Sequence, residues 1–508
     1  MLRIAFIVAL GGFLMGFDAS VISGVLGPVG ERFGLSEFEQ GWLVACLALT
    51  SSFAMLGAGV FSDAFGRRRT LQIAAALYLL SAVASALAPS FSALVLARML
   101  GGLGVGAALI VAPLYIAELA PAKDRGRLVS INQLNIVVGI SAAFFSNYVI
   151  AQVFGDPLEA RAFPPWRWML GIEALPALAY FLGLGAVPES PRWLKLRGEG
   201  EKAFAILAAT AGETEARAAL ERITPSEPKA GALQAMLRRL LDPALRPILA
   251  VAMGVAVLQQ ITGINAVFFY APMIFEKAGA GVNSALWQAV LIGVVNLLFT
   301  LVALRTIDRL GRRPLLLMGL GGIALAMALL SYAFDQAYYQ LSTQTLVSLE
   351  DSDLAAALSQ IAGQPFGDKA AFQGALAQAL APEALAQSEK VLLALAIQID
   401  APTVLAAIML FVASFALSLG PVMWVLFSEL FPLPVRALAA ATAGLVNSLV
   451  SFLVQLLFPW ALAALGPAQT FAFFGAFALL GLFWVWRAVP ETRGRPLETM
   501  EGALFRSP

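Results

Sequence analysis

The chain has 508 residues, of which 60% are hydrophobic and 13% charged, with a formal net charge of +1. An ordinary soluble domain carries about 25% charged residues, so this composition points to lipid as the solvent. The near-zero charge gives no electrostatic footprint for nucleic acid. Cys46 is the single cysteine and histidine is absent. That excludes an internal disulfide and a thiolate metal cluster, and leaves proton chemistry to carboxylates.

A bilayer core about 30 Å thick needs roughly 20 apolar residues per spanning helix. Twelve runs meet this in chain order. The first six lie near 4–27, 41–61, 70–88, 93–117, 128–150 and 167–187. The second six lie near 248–271, 284–304, 314–334, 403–427, 438–461 and 468–488. The first run is too long for the apolar core of a signal peptide and reads as a span. The fold class expected is an all-α integral membrane protein.

Basic residues set the orientation. Arg67, Arg68 and Arg69 follow the second run, Lys123, Arg125 and Arg127 the fourth, and Arg305, Arg309, Arg312 and Arg313 the eighth. The positive-inside rule places these loops and both termini in the cytoplasm. Segment 335–400, with eight acidic residues and two lysines, then lies outside.

The chain repeats itself. Asp63-Ala-Phe-Gly66-Arg67-Arg68 returns as Asp308-Arg-Leu-Gly311-Arg312-Arg313. Glu118, Pro121 and Arg125 share their spacing with Glu429, Pro432 and Arg436, and Val187-Pro-Glu-Ser190 is echoed by Val489-Pro-Glu-Thr492. The order implies a duplicated six-span unit, as in transporters that hold substrate between two halves. The predicted division is an N-terminal half at 1–191, a cytoplasmic linker of short amphipathic helices at 192–247, and a C-terminal half at 248–508. The step from Glu118 to Glu429 exceeds that from Asp63 to Asp308 by about the length of 335–400. This segment is therefore read as an inserted cap of two or three short helices.

Charged groups at membrane depth cost about 2.5–3.5 kcal/mol each, so they face a cavity or a partner. Asp18 in span 1 and Arg98 in span 4 are expected to pair, and protonation of Asp18 would release Arg98. The glycines Gly101, Gly102, Gly104 and Gly106 after Arg98 are read as packing surface. Span 7 holds Gln259, Gln260 and Asn265, and a break at Gly263 would turn them toward one cavity. Further amides are Gln133, Asn296 and Asn447, with Trp424 in span 10. Amides beside an aromatic face suit a neutral polyhydroxyl ligand. No pair of carboxylates is expected at one membrane depth, which with the missing histidine argues against an enzyme.

These motifs together resemble the sugar porter family of the major facilitator superfamily. The resemblance rests on the span 1 motif, Arg98 with its glycines, Gly59-x3-Asp63-x2-Gly66-Arg67-Arg68, and Pro113-x-Tyr115-x2-Glu118. It also rests on Pro188-Glu-Ser-Pro-Arg-Trp193, the Gln259–Asn265 run and Pro490-Glu-Thr-Arg-Gly494. It implies twelve helices in two pseudo-symmetric halves. Sugar contacts are implied at Gln133, Gln259, Gln260, Asn265, Asn296, Trp424 and Asn447, and Phe269 stands in that pocket where the family has tyrosine. An aspartate at position 18 marks the proton symporters, where facilitators have asparagine. Glu118, Arg125, Asp308, Arg312, Glu429 and Arg436 resemble an inner ion-pair gate that holds the outward-open state. Met15 and Ser448 replace aromatic residues, which leaves hexose, pentose and polyol open. The reading is a monomeric proton–monosaccharide symporter of a bacterial inner membrane, with no metal or organic cofactor. A facilitator is the nearest rival. A sugar sensor is the rival of another class, and the short segment after Pro490 weighs against it.

Overall fold

The computed structural model describes residues 2–120, 125–155, 163–223, 243–342, 346, 352–431 and 435–493. Among these described residues, twelve helices are long and apolar enough to cross a membrane. Spans 1–6 are Arg3–Phe33, Glu37–Phe65, Arg67–Ala86, Phe91–Leu119, Ile131–Val153 and Pro165–Gly185. Spans 7–12 are Arg246–Phe269, Val282–Leu310, Arg312–Asp335, Ala401–Phe427, Leu438–Ala464 and Pro467–Ala488. Large apolar side chains such as Phe53, Val60, Leu96, Leu182, Leu325 and Leu480 remain exposed along these helices. A water-soluble surface rarely carries so broad an apolar belt.

Local chemistry sets the helix ends. Ser36 caps span 2 and Glu39 returns the bond to the Ser36 backbone, a reciprocal box that satisfies two orphan donors. Spans 2 and 3 meet at Gly66, and spans 8 and 9 at Gly311, each with φ near +95° in a turn that favours glycine (95° and 93°). A side chain at Gly66 would also stand 2.9 Å from the Glu189 carboxyl carbon. In span 4, Gly102 and Gly106 lie against span 2 and Gly104 against span 3, which is the packing role expected of them.

The two halves meet on the side that bears segment 335–400. Span 2 lies along span 11 and span 5 along span 8, while span 1 touches the far segment of span 7. Trp42 stacks edge-on against Phe452, Phe144 meets Phe268, and Tyr148 meets Trp287. On the opposite side, where the duplicated arginine motifs lie, every described ion pair joins residues of one half.

The insertion departs from the all-helical expectation. Tyr338–Tyr339 pairs antiparallel with Ile397–Gln398. Helices Ser352–Leu358, Lys369–Ala379 and Pro382–Ala396 enclose their own small core of Leu341, Leu358, Phe372, Leu376 and Leu392. The sheet forms because both ends of the insertion must return to adjacent membrane spans. In the linker, the helices Pro191–Leu196, Gly200–Ala211 and Glu213–Arg222 are present. Its residues 224–242 lie outside the described set.

Candidate functional site

Span 7 is interrupted as Gly263 predicts. Its first helix ends at Ile261, Gly263 adopts φ +93°, and a new helix begins at Ile264. The break re-aims the second segment and joins its amide, Asn265, to span 11. Asn265 Nδ2 donates to Gln260 Oε1 at 2.8 Å and to Ser451 Oγ at 2.7 Å. Gln260 Nε2 donates to Gln259 Oε1 at 3.2 Å and Asn447 Oδ1 at 3.1 Å. Asn447 Nδ2 donates to Gln259 Oε1 at 2.7 Å and to the Ala256 carbonyl at 3.0 Å. Gln259 anchors the set on the Leu419 carbonyl at 3.1 Å, beside the interruption of span 10 at Ser418.

Four of the predicted sugar contacts thus form one hydrogen-bonded cage. The other four are not bonded to it. Asn296 and Phe269 are buried, Gln133 is half-buried, and Trp424 is 40% exposed with its ring edge-on to Phe427. Ser451 and Gln455 extend the cage along span 11, with Gln455 Nε2 donating to Ser451 Oγ at 2.6 Å. Sequence reading missed both, although Asn447, Ser451 and Gln455 recur at i, i+4 and i+8, which is one helix face.

The second cluster lies in the N-terminal half. Asp18 and Arg98 are 2% and 1% exposed. Arg98 Nη1 donates to Asp18 Oδ1 at 3.3 Å, and Arg98 Nε donates to the Leu43 carbonyl at 3.2 Å. One guanidinium therefore ties span 4 to spans 1 and 2. Glu173 corrects the expectation of no carboxylate pair at one depth. It is 3% exposed in the two-residue interruption of span 6 and feels the charges of Asp18 and Arg98. Its signal was an acid inside an apolar run. Its position near the start of that run concealed its depth, because span 6 descends beside span 1. Asn132, Asn135 and Asn147 of span 5 are also buried and were also missed.

The duplicated motifs build two matching cages. Arg67 grips Glu118 through Nε and Nη2 at 2.9 and 3.0 Å, and Arg312 grips Glu429 through the same atoms at 3.1 and 2.7 Å. Asp63 and Asp308 complete the arginines at 2.8 and 3.0 Å. Ser190 and Thr492 donate to Glu118 and Glu429 at 2.5 and 2.6 Å. Glu189 accepts from the backbone N–H groups of Arg67 and Arg68, and Glu491 from those of Arg312 and Arg313. Each carboxylate thereby caps a helix N-terminus where the dipole favours negative charge. Burial raises the Glu491 pKa, but the backbone N–H groups of Arg493, Arg312, Arg313 and Thr492 together outweigh it and hold the carboxyl below its usual range. Arg67, Glu189 and Glu491 thus stand in the same clusters as the predicted residues Glu118, Asp308, Arg312 and Glu429. The side chains of Arg125 and Arg436, and residues Pro121, Lys123 and Pro432, lie outside the described residues.

The profile of the family described as "Sugar (and other) transporter" matches residues 4–348 and 374–504. The chain belongs to that family. This sugar porter is 35% identical to the glucose transport protein of Synechocystis, over 98% of this chain and 96% of the relative. It is 33% identical to the D-xylose–proton symporter of Escherichia coli, over 98% and 94%. The xylose transporter of E. coli in an inward-open conformation superposes with a TM-score of 0.75 at 30% identity, covering 98% of this chain and 99% of that one. The porter is a multi-pass membrane transporter with the major facilitator fold, and not an enzyme. The part of the insertion at 349–373 falls outside the family match.

Proposed function

We propose that this porter imports a neutral monosaccharide by proton symport, with Asp18 as the proton-binding group. The observation that carries the reading is the Asp18–Arg98 pair, buried at 2% and 1% exposure in the N-terminal half, while the C-terminal half holds an amide cage that offers donors and acceptors but no charge. The kinship with the D-xylose–proton symporter of E. coli supports it.

A proton changes a conformational equilibrium only through its different affinity for the two states. Here that difference has a mechanical route. Arg98 holds the Leu43 carbonyl, two residues beyond Gly41, where span 2 presses on Leu456 of the other half. Protonating Asp18 removes the charge that fixes Arg98 and loosens span 2 at the closure. Sugar enters the cage of Gln259, Gln260, Asn265 and Asn447 and takes over hydrogen bonds that those amides now make to one another. Asn296, Gln133, Phe269 and Trp424 complete the pocket as the halves close on the ligand. The matching cages at Glu118–Arg67 and Glu429–Arg312 are the gate elements on the cytoplasmic side, where Arg125 and Arg436 would bridge the halves in the opposite state.

In this reading both termini and the 192–247 linker are cytoplasmic, the 335–400 insertion is external, and a monomer in the bacterial inner membrane is the working unit. The domain division at 1–191 and 248–508 follows from the repeat. Uptake into proteoliposomes under an imposed proton gradient tests the mechanism, with D-xylose, D-glucose, L-arabinose and myo-inositol as probes. We expect accumulation of one of these against its gradient. Asp18→Asn should abolish accumulation and retain equilibrium exchange. Full accumulation by Asp18→Asn would overturn the coupling role, and downhill equilibration alone in the parent protein would make it a facilitator.

A further inference from the structure

We propose that the Tyr78 hydroxyl, through internal water, links the buried carboxyls of Asp18 and Glu173 and passes a proton from the first to the second. The proposal rests on the symport reading and adds to it a second proton-holding site and a relay residue.

Three oxygens from three spans carry the argument. Asp18 Oδ2 in span 1, the Tyr78 hydroxyl in span 3 and Glu173 Oε1 in span 6 are each fully buried, and none has a hydrogen-bond partner among the described residues. Span 3, which carries Tyr78, packs against both segments of span 6 that flank Glu173, and span 1, which carries Asp18, packs against the same two segments, so the three groups lie within electrostatic reach of one another. A buried polar atom left unpaired costs about 1–3 kcal/mol. Three such atoms in one neighbourhood suit internal water, which typically makes about three hydrogen bonds to such groups. Gly101 keeps room beside the acid. A side chain there would stand 2.7 Å from Asp18 Oδ2 and 2.6 Å from Ser81 Oγ. Ser81 lies on the same face of span 3 as Tyr78, one turn away, so the free Asp18 oxygen points toward the helix that carries the tyrosine. By contrast, each of the four amides in the cage of the other half makes at least two hydrogen bonds.

Charge counting gives the pocket its occupancy. Around Asp18 stand Cys46 from span 2, Tyr78 and Ser81 from span 3, Arg98 from span 4 and Glu173 from span 6, with Tyr180 of span 6 near Tyr78. One guanidinium faces two carboxyls. A net charge at this depth is costly, so the neutral composition is one cation, one carboxylate and one carboxylic acid. Asp18 is paired with Arg98 at 3.3 Å, which leaves the proton on Glu173.

The step balances. The O–H bond of protonated Asp18 breaks and its proton moves through water to the Tyr78 oxygen. The original Tyr78 O–H bond breaks at the same time, and that proton reaches Glu173 Oε1. Glu173 enters this step as a carboxylate, having released its own proton, and ends as the acid; tyrosine ends neutral, Asp18 ends charged, and the Asp18–Arg98 pair forms again.

Infrared spectroscopy of the lipid-reconstituted, full-length protein tests this without any sugar. The parent protein should show a neutral-carboxyl C=O band near pH 7 that Glu173→Gln removes. Tyr78→Phe should shift that band, because the acid loses its hydrogen-bonded chain. In vesicles, Tyr78→Phe should lower the ratio of proton-driven accumulation to equilibrium exchange of radiolabelled D-xylose by about a hundredfold or more, the low end for a lost proton-transfer group. An unshifted band in Tyr78→Phe overturns the relay. If Tyr78→Phe fails to fold, the Glu173→Gln spectrum decides, since a surviving band puts the proton elsewhere. Accumulation that survives Asp18→Asn refutes the symport reading itself, whereas accumulation lost in Asp18→Asn but intact in Tyr78→Phe refutes the relay alone.

Discussion

The closure between the halves turns on Gly41. Its helix lies so close to span 11 that an added Cβ would stand 2.8 Å from the Leu456 carbonyl carbon and closer still to its oxygen. A backbone carbonyl inside a helix cannot rotate away, so Gly41→Ala must push the two spans apart. Overpacking of this kind costs about 1–3 kcal/mol, and the cost exists only where the halves touch. The helix-forming gain of alanine over glycine, roughly 0.5–1 kcal/mol, is common to both states and cancels. The equilibrium should therefore move about 5- to 150-fold toward the form open on the insertion-bearing side. Spin labels at Phe38 and Leu465, in a Cys46→Ser background, would report the separation as a distance distribution. Phe38 and Leu465 are exposed at 55% and 37%, so the labels can be accommodated. An unchanged distribution in a properly inserted Gly41→Ala protein would show that this contact does not close the transporter.

Gln260→Ala should weaken sugar binding by about 1–3 kcal/mol, because Gln259, Asn265 and Asn447 each lose a partner inside the protein. Calorimetry with D-xylose and D-glucose would measure it, and parent-like affinity would place the ligand elsewhere. The Glu491 carboxyl titrates below its unfolded value. Its contribution is therefore full above the unfolded pKa of about 4.3 and lost as pH falls through the lower folded value. Glu491→Gln should accordingly melt below the parent at pH 7, with the gap narrowing in acid. A gap that widens in acid would contradict that sign. Replacing residues 341–396 by a short Gly/Ser linker should leave insertion and transport near normal. The paired strands at Tyr338–Tyr339 and Ile397–Gln398 already bring the ends together, and the removed segment has its own core. Transport lost from a correctly inserted variant would make the insertion a working lid.

Much of this molecule could be read from one dimension. A lipid-facing helix must satisfy its backbone internally, so every span appears as a local run of apolar residues, and each of the twelve was legible. The duplicated Asp–Gly–Arg and Pro–Glu motifs showed the two halves, because each copy repeats the same turn. Gly263 announced its helix break, since a positive φ is a property of one residue and its neighbours. The pairing of Asp18 with Arg98 was also legible, because so few charges occur inside the spans that the candidate partners were few.

What tertiary structure decided was lateral placement. Apolar runs carry almost no information about which face of a helix meets which neighbour, because lipid and protein interior are equally greasy. Glu173 therefore passed as an unremarkable acid near a span's start until span 6 was seen beside spans 1 and 3. Ser451 and Gln455 gained meaning only when the broken span 7 turned Asn265 toward them. The small sheet at the root of the insertion was invisible for the same reason. Two-residue strands have no periodicity to read, and they form because the fold returns Tyr338 and Gln398 to the same place.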